Sequence, residues 1–365
     1  MNLWKHADKW GAPPMADAVT LGEGNTPLIR SEKIGAALGL RRLWFKFEGS
    51  NPTGSYKDRF AAAAVTHLKR DGRQACLGTS SGNTGAALAA YCARAGIRCY
   101  LAIVEGAPEG KLRQMQAYGA RLFRLKNFGS SPAVTSEVMQ GLGTLAEELE
   151  AGYEISAYFF SPRGMAGVQT IGYEIAEALP GEAFSVFSPA GGGGLTLAVA
   201  RGVETWGGAV GRVHCVQPVG NDTIASALRN GQIKANAVES KTAISGLQVG
   251  GVLDGDLVVA ACRRTGGQGY LVTDEVIWNW QARLAKEEGI FSEPAGAVAI
   301  AGVEQAVARG EVSPDENVVC LVTGSGFKDE RSLVRMTSAE GTPLLSGFGE
   351  FAEKVRAEIR GASPR

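Results

Sequence analysis

The sequence predicts an α/β fold: two domains with parallel-type twisted sheets flanked by helices. Three observations carry that expectation. Short apolar runs alternate with helical patterns along most of the chain. One of them, 97–104, is apolar almost throughout, as in a strand buried on both faces. Gly/Ser/Thr-rich turns stand where such strands would give way to helices. The length of 365 residues is enough for two domains with buried cores.

In chain order, residues 22–30 form a turn-rich opening segment, and Leu43-Trp44-Phe45-Lys46-Phe47 reads as a strand. Asn51-Pro52 and Thr53-Gly54 break it, and Phe60, Ala61, Ala64, Val65 and Leu68 then mark one helical face. Ala75-Cys76-Leu77 is a strand leading through a polar turn into a helix over 84–94. After the strand 97–104 come a helix around 111–118 and a short strand 121–125. Residues 126–165 read as helix and loop, and further strands are expected at 184–187, 213–216 and 318–322. This division places a small domain at 72–160 and a large one built from 1–71 and 161–335. A C-terminal extension, 336–365, is charged from Gly347 onward and is expected as a docked helix or a frayed end.

Composition excludes several classes. Apolar residues make up 45% and charged residues 20%, a soluble globular profile. Lysine plus arginine equals aspartate plus glutamate at 37 each, so no charge excess points to nucleic acid or to an anionic membrane. Six cysteines without a CxxC pair, and three histidines, argue against a structural zinc site, and no metal is expected. The cysteines lie mostly in apolar runs as small buried hydrophobes. The amino terminus has no apolar signal region and no run approaches membrane-spanning length, so a cytoplasmic protein is expected.

Four stretches carry chemistry. In Pro52-Thr53-Gly54-Ser55-Tyr56-Lys57-Asp58-Arg59, Ser55 is placed to cap a helix whose first turn holds Lys57. A cation there opposes the helix dipole, and a neutral amine is the form that makes a Schiff base. Taken alone, the position reads first as a solvated surface lysine. The spacing Gly49-x4-Gly54 imitates a phosphate-binding P-loop, but Ser55-Tyr56 stands where Lys-Ser/Thr is required. In Gly78-Thr79-Ser80-Ser81-Gly82-Asn83-Thr84-Gly85, a strand-to-helix turn offers backbone N–H groups to an anion, with Ser80, Ser81 and Asn83 adding side-chain bonds. An ordinary polar turn has the same appearance.

The run Gly191, Gly192, Gly193 and Gly194 joins an apolar strand directly to a helix beginning at Leu195. Glycines there let successive N–H groups cradle a dianionic phosphate, whereas a flexible linker would have disordered flanks. A dinucleotide fingerprint fits less well, because no acidic residue sits at the next strand end. Finally, Thr323 places a hydroxyl at the carboxyl end of the strand 318–322. A lysine, a phosphate cup, an anion-binding helix start and a hydroxyl at a strand tip together suit pyridoxal 5'-phosphate.

On these motifs the chain resembles the fold-type II pyridoxal-phosphate enzymes, and among them the threonine synthases, over roughly residues 20–335. The resemblance implies that Lys57 is the cofactor lysine and the catalytic base. It implies that Asn83 meets the cofactor's 3-hydroxyl, that Gly191–Gly194 and Leu195 hold its phosphate, and that Thr323 bonds its ring nitrogen. Ser80, Ser81, Gly82, Asn83 and Thr84 would receive the substrate carboxylate, and Arg163 a substrate phosphate. The implied reaction converts O-phospho-L-homoserine and water into L-threonine and phosphate in a lyase of amino-acid metabolism, working as a homodimer. Two departures stand out. The four-glycine cup is similar to that of serine and threonine dehydratases. In Ser161-Pro162-Arg163-Gly164-Met165-Ala166-Gly167-Val168-Gln169-Thr170, the arginine is one position early and Val168-Gln169 replaces Gln-Lys. An ammonia-lyase, dehydratase or β-replacement synthase is the alternative reaction. A non-catalytic binder of phosphorylated metabolites would keep the cup without needing Lys57.

Overall fold

The computed structural model describes residues 3–80, 82–107, 109–207, 211–337 and 341–361. Its strands are β1 (Leu28–Arg30), β2 (Leu43–Phe47), β3 (Ala75–Thr79), β4 (Arg98–Val104) and β5 (Arg121–Leu125). They continue with β6 (Gly152–Tyr153), β7 (Phe184–Pro189), β8 (Gly211–Pro218), β9 (Gly269–Val272) and β10 (Asn317–Val322). A four-stranded sheet in the order β5-β4-β3-β6 is parallel throughout. A six-stranded sheet in the order β1-β2-β10-β7-β8-β9 takes its strands from both sides of that segment in the sequence. Its ladders are parallel except at one edge, where β1 runs antiparallel to β2.

The central strands explain why the apolar runs were continuous. Every residue of β7 and of β10 is buried, since helices cover both sheet faces. β5 lies at a sheet edge and is half exposed, with charged side chains that discourage further pairing. β9 and the three-residue β1 were not expected from the sequence: each is too short for a period-two pattern to register.

Helix Lys57–Arg70 is the bridge between the sheets, and ten of its fourteen residues are buried. Helix Pro162–Val168 packs closely on it. A Cβ at Gly167 would stand 2.6 Å from the Arg59 carbonyl oxygen, and one at Gly164 2.7 Å from the Phe60 ring. These two glycines therefore set the spacing between the helices.

An ionic cluster lies inside this junction. Arg59, fully buried, donates to both carboxylate oxygens of Glu48 at 2.8 Å and to those of Glu174 at 2.6 and 2.8 Å. It also reaches Thr170 Oγ1 at 2.8 Å and Thr26 Oγ1 at 3.1 Å. Lys46 Nζ adds a second cation 2.6 Å from Glu174 Oε2. Burial pushes the Glu174 carboxyl up, but Arg59 and Lys46 outweigh it and hold it well below the usual carboxylate range. At the far end of the chain, helix Phe348–Gly361 contributes no buried residue, so the charged tail is a helix lying on the surface. Among the described residues no helix is long and apolar enough to cross a membrane.

Candidate active site

The carboxyl ends of β3, β7 and β10 open on one cleft of about 1040 Å³. Each end carries one of the motifs singled out in the sequence, and the start of helix Lys57–Arg70 supplies the fourth wall.

Lys57 is the first residue of its helix. Its backbone N–H points to Ser55 Oγ at 3.4 Å, but Tyr56 occupies the N-cap position with no side-chain capping bond, so the expected Ser55 cap falls one residue too early. The turn before it is fastened to the β10 end: Tyr56 N donates to the Thr323 carbonyl at 3.1 Å, and Ser325 N to the Gly54 carbonyl at 2.8 Å. The Lys57 ammonium donates to Ser156 Oγ at 2.8 Å and lies 4.7 Å from the centre of the Tyr56 ring. It is thus a cleft lysine rather than a solvated one.

The glycine run connects β7 to helix Gly194–Trp206, a 13-residue helix whose N-terminus faces the cleft. Gly193 adopts φ 93°, a left-handed conformation that favours glycine, and a Cβ there would lie 2.6 Å from Val258. Gly191, Gly192, Gly194 and Leu195 line the cleft beside it. This is a rigid turn inside the fold and not a linker.

Ser80, Gly82, Asn83 and Thr84 line the opposite side, at the start of helix Asn83–Ala95. Ser81 lies outside the described residues. Thr323 is 4% exposed, and its Oγ1 has no hydrogen-bond partner among the described residues. A buried hydroxyl left unpaired is costly, so its orientation into a ligand site gives it a purpose.

The fold does not bring Arg163 to this cleft. The buried face of helix Pro162–Val168 is Gly164, Met165, Gly167 and Val168, which turns position 163 outward. Its side chain is 54% exposed and pairs with Asp71 Oδ2 at 2.6 Å. The cleft takes its cations from elsewhere. Lys111, on helix Glu109–Ala117, donates to Ser245 Oγ and lies 3.5 Å from Asp329 Oδ2. Lys328, just past β10, donates to the Thr53 carbonyl at 3.1 Å and to Gln114 Oε1. Burial lowers the Lys328 ammonium from its ordinary range, opposed by Glu293 and Asp58.

Sequence reasoning missed Ser156, Ser245 and Glu293. The first two sit in irregular loops with no pattern to mark them. Glu293 had one signal, a carboxylate set alone in the apolar stretch 290–303.

An α/β chain whose strand ends converge on one lysine-bearing cleft is built as an enzyme, and one suited to a phosphorylated cofactor. More particularly, the chain belongs to the pyridoxal-phosphate dependent enzyme family, whose model matches residues 19–324. It is 35% identical over 348 residues to a threonine synthase of Halalkalibacterium halodurans, covering 93% of each chain. It is 31% identical to a threonine synthase of Methanocaldococcus jannaschii, covering 92% of this chain and 82% of that one.

Among solved structures, the processed form of threonine deaminase isoform 2 from Solanum lycopersicum matches with a TM-score of 0.74 at 24% identity. That match covers 93% of this chain and 94% of the other. Maize serine racemase matches with a TM-score of 0.69 at 23% identity, covering 92% and 93%. These two likenesses establish the fold. The residues present suit the family's cofactor: an amine within the cleft, a glycine cradle at a helix N-terminus, and a buried hydroxyl awaiting a partner.

Proposed function

We propose that the protein is a threonine synthase-type lyase converting O-phospho-L-homoserine and water into L-threonine and phosphate. The observation that carries the reading is identity of 31–35% to threonine synthases over nearly the whole chain. Two lysines, Lys111 and Lys328, on the wall of one cleft support a second phosphate site besides the glycine cup.

Pyridoxal phosphate, when bound, supplies the electron sink that makes the hydrogens of an attached amino acid acidic. Lys57 would hold it through Nζ and, once released by the substrate amine, take the Cα proton at the same atom. Ser156 Oγ accepts from that amine and keeps it turned into the cleft. The N–H groups of the glycine turn and the N-terminus of helix Gly194–Trp206 would receive the cofactor phosphate. Thr323 Oγ1 would meet the ring nitrogen as a neutral hydroxyl, which supplies no charge to hold a proton there. That arrangement suits elimination and replacement better than transamination. Ser80, Gly82, Asn83 and Thr84 would take the substrate carboxylate at the start of their helix. Ser81 belongs to the same loop in sequence. A small domain at 72–160 closing on the large one is part of this reading, supported by the separate four-stranded sheet. A cytoplasmic homodimer completes it, with exposed Phe348, Phe351 and Ile359 along one surface helix as support for self-association.

The test is direct. Purified protein given O-phosphohomoserine should release phosphate, and threonine should accumulate. Ammonia released from serine or threonine, with no phosphate from O-phosphohomoserine, would establish the dehydratase reaction instead.

Two substitutions locate the phosphates. Gly192→Asp sets a carboxylate where a dianion binds and a Cβ 3.2 Å from Val249. Cofactor affinity should fall by about 3 kcal/mol, the order of cost for an uncompensated buried charge, and equilibrium dialysis measures it. Normal affinity would show that the run does not carry the phosphate.

For the substrate phosphate, Lys111→Ala should raise the apparent KM for O-phosphohomoserine about 10- to 100-fold, the value of one charge-assisted bond. Arg163→Ala removes only an exposed ion pair and should leave KM within about twofold. Steady-state kinetics of the two variants compare them, and the reverse ranking would return the phosphate site to the Arg163 segment.

A further inference from the structure

Glu293 stands immediately before helix Pro294–Ala308 and is 5% exposed, yet it lines the cleft together with Lys57, Asn83 and Thr323. Its Oε1 accepts from Asn83 Nδ2 at 2.7 Å. The β10 turn is shaped to admit this carboxyl. A Cβ at Gly324 would lie 2.3 Å from Glu293 Oε1 and 3.4 Å from Asn83 Nδ2, so any side chain there would displace the pair. The backbone holds the acid in place as well, Glu293 N donating to the Gly324 carbonyl at 3.2 Å.

The nearby cations are engaged elsewhere. Lys111 donates to Ser245 Oγ and lies against Asp329, while Lys328 donates to the Thr53 carbonyl and Gln114. Among the described residues the Asn83 amide is the one hydrogen-bond partner of the Glu293 side chain. A buried carboxyl with so little support is not a stabilising feature. Its place beside Asn83, at the site's edge, is what it has to offer.

We propose that Glu293 is a positioning residue for the bound cofactor, fixing the Asn83 amide and transmitting its own charge state through that amide to the pyridoxal ring. The proposal rests on the reading of Asn83 as a cofactor contact. With one N–H of Nδ2 committed to Glu293, the amide plane is fixed, and Oδ1 and the second N–H are left for the cleft. Hydrogen bonds in such a chain polarise one another, so a carboxylate behind Asn83 and a neutral acid behind it give the ring different neighbours.

The groups facing Glu293 come from three elements: Asn83 from its helix, Lys111 from Glu109–Ala117, and Lys328 with Asp329 from the turn after β10. Burial pushes the Glu293 carboxyl up to about 7, against the pull of Asn83, Lys111 and Lys328, with Asp329 adding to the push. Glu293 is therefore neutral below that pH and charged above it. A negative charge favours the protonated form of a group near it.

Visible absorbance of the holoenzyme, titrated with pH in the absence of substrate, tests the proposal. The wild type should show a spectral step centred near pH 7. Glu293→Gln, which still offers an acceptor to Asn83 but does not titrate, should keep its cofactor and lose the step. Glu293→Ala frees the amide and should weaken cofactor binding about tenfold. A wild type with no step, or a Glu293→Gln enzyme with the wild-type step, overturns the proposal while leaving the cofactor site intact. A wild type that takes up no cofactor at all overturns the underlying reading as well, so the two failures are told apart by colour.

Discussion

Lys57→Ala should reduce phosphate release by about 10⁴-fold or more, the upper range for loss of a general base, with loss of the covalent anchor added. The expectation follows from where the residue sits. Its amine faces the cleft, hydrogen-bonded to Ser156 Oγ, while its backbone starts a helix that alanine continues without strain. Among the described residues no buried charge pair involves Lys57, so the variant should unfold at nearly the wild-type denaturant concentration. Borohydride, which should fix pyridoxal phosphate to Lys57 in the wild type, should label no other lysine in the variant. Peptide mapping of the reduced adduct is the measurement. An adduct on Lys111 or Lys328, or turnover within tenfold of wild type, would remove Lys57 from its role.

Much of this site was legible because its motifs are local. A strand end, a turn and a helix start lie within a dozen residues of one another, and each such turn announces itself through glycine, serine or an N-cap. The Lys57 segment, the Asn83 turn, the glycine run and Thr323 were all found that way, and the fold brings them to one cleft. Arg163 shows where the method fails. Its segment was read from a shared string of letters, but a one-position shift on a helix rotates a side chain by about 100°. Here position 163 faces outward and its side chain pairs with Asp71.

Glu293 shows the complementary failure. It meets Asn83 across 210 residues of sequence, and no local pattern encodes that pairing. The antiparallel β1 edge escaped for the same reason as β9: three or four residues next to breakers carry too little period to read.

Arg59→Ala should cost about 3–5 kcal/mol of folding stability, the usual penalty for leaving partners of a buried ion pair unpaired. The side chain is wholly buried, and its guanidinium is shared between Glu48 and Glu174 with Thr26 and Thr170 at its margins. Of the two carboxylates Lys46 bonds Glu174 and not Glu48, so among the described residues Glu48 is left with hydroxyl and amide donors. Urea denaturation measures the loss as a fall in midpoint.

Acid should shrink the difference, and the sign is fixed by Glu174. Its carboxyl is lowered in the folded protein, so its contribution is present above the unfolded value of about 4.3 and fades as pH falls below it. In the variant the Arg59 share of that contribution is gone and Lys46 alone remains on Glu174, while protonating the stranded carboxylates relieves their burial. The two proteins should therefore converge as pH falls below about 4.3. The activity should suffer too, because Arg59 lies two residues beyond Lys57 and anchors the first turn of its helix to Glu48 and Glu174. An Arg59→Ala protein as stable as wild type at neutral pH would mean that the cluster merely breaks even against its own desolvation. The start of helix Lys57–Arg70 would then be held by the packing of Gly164 and Gly167 against it.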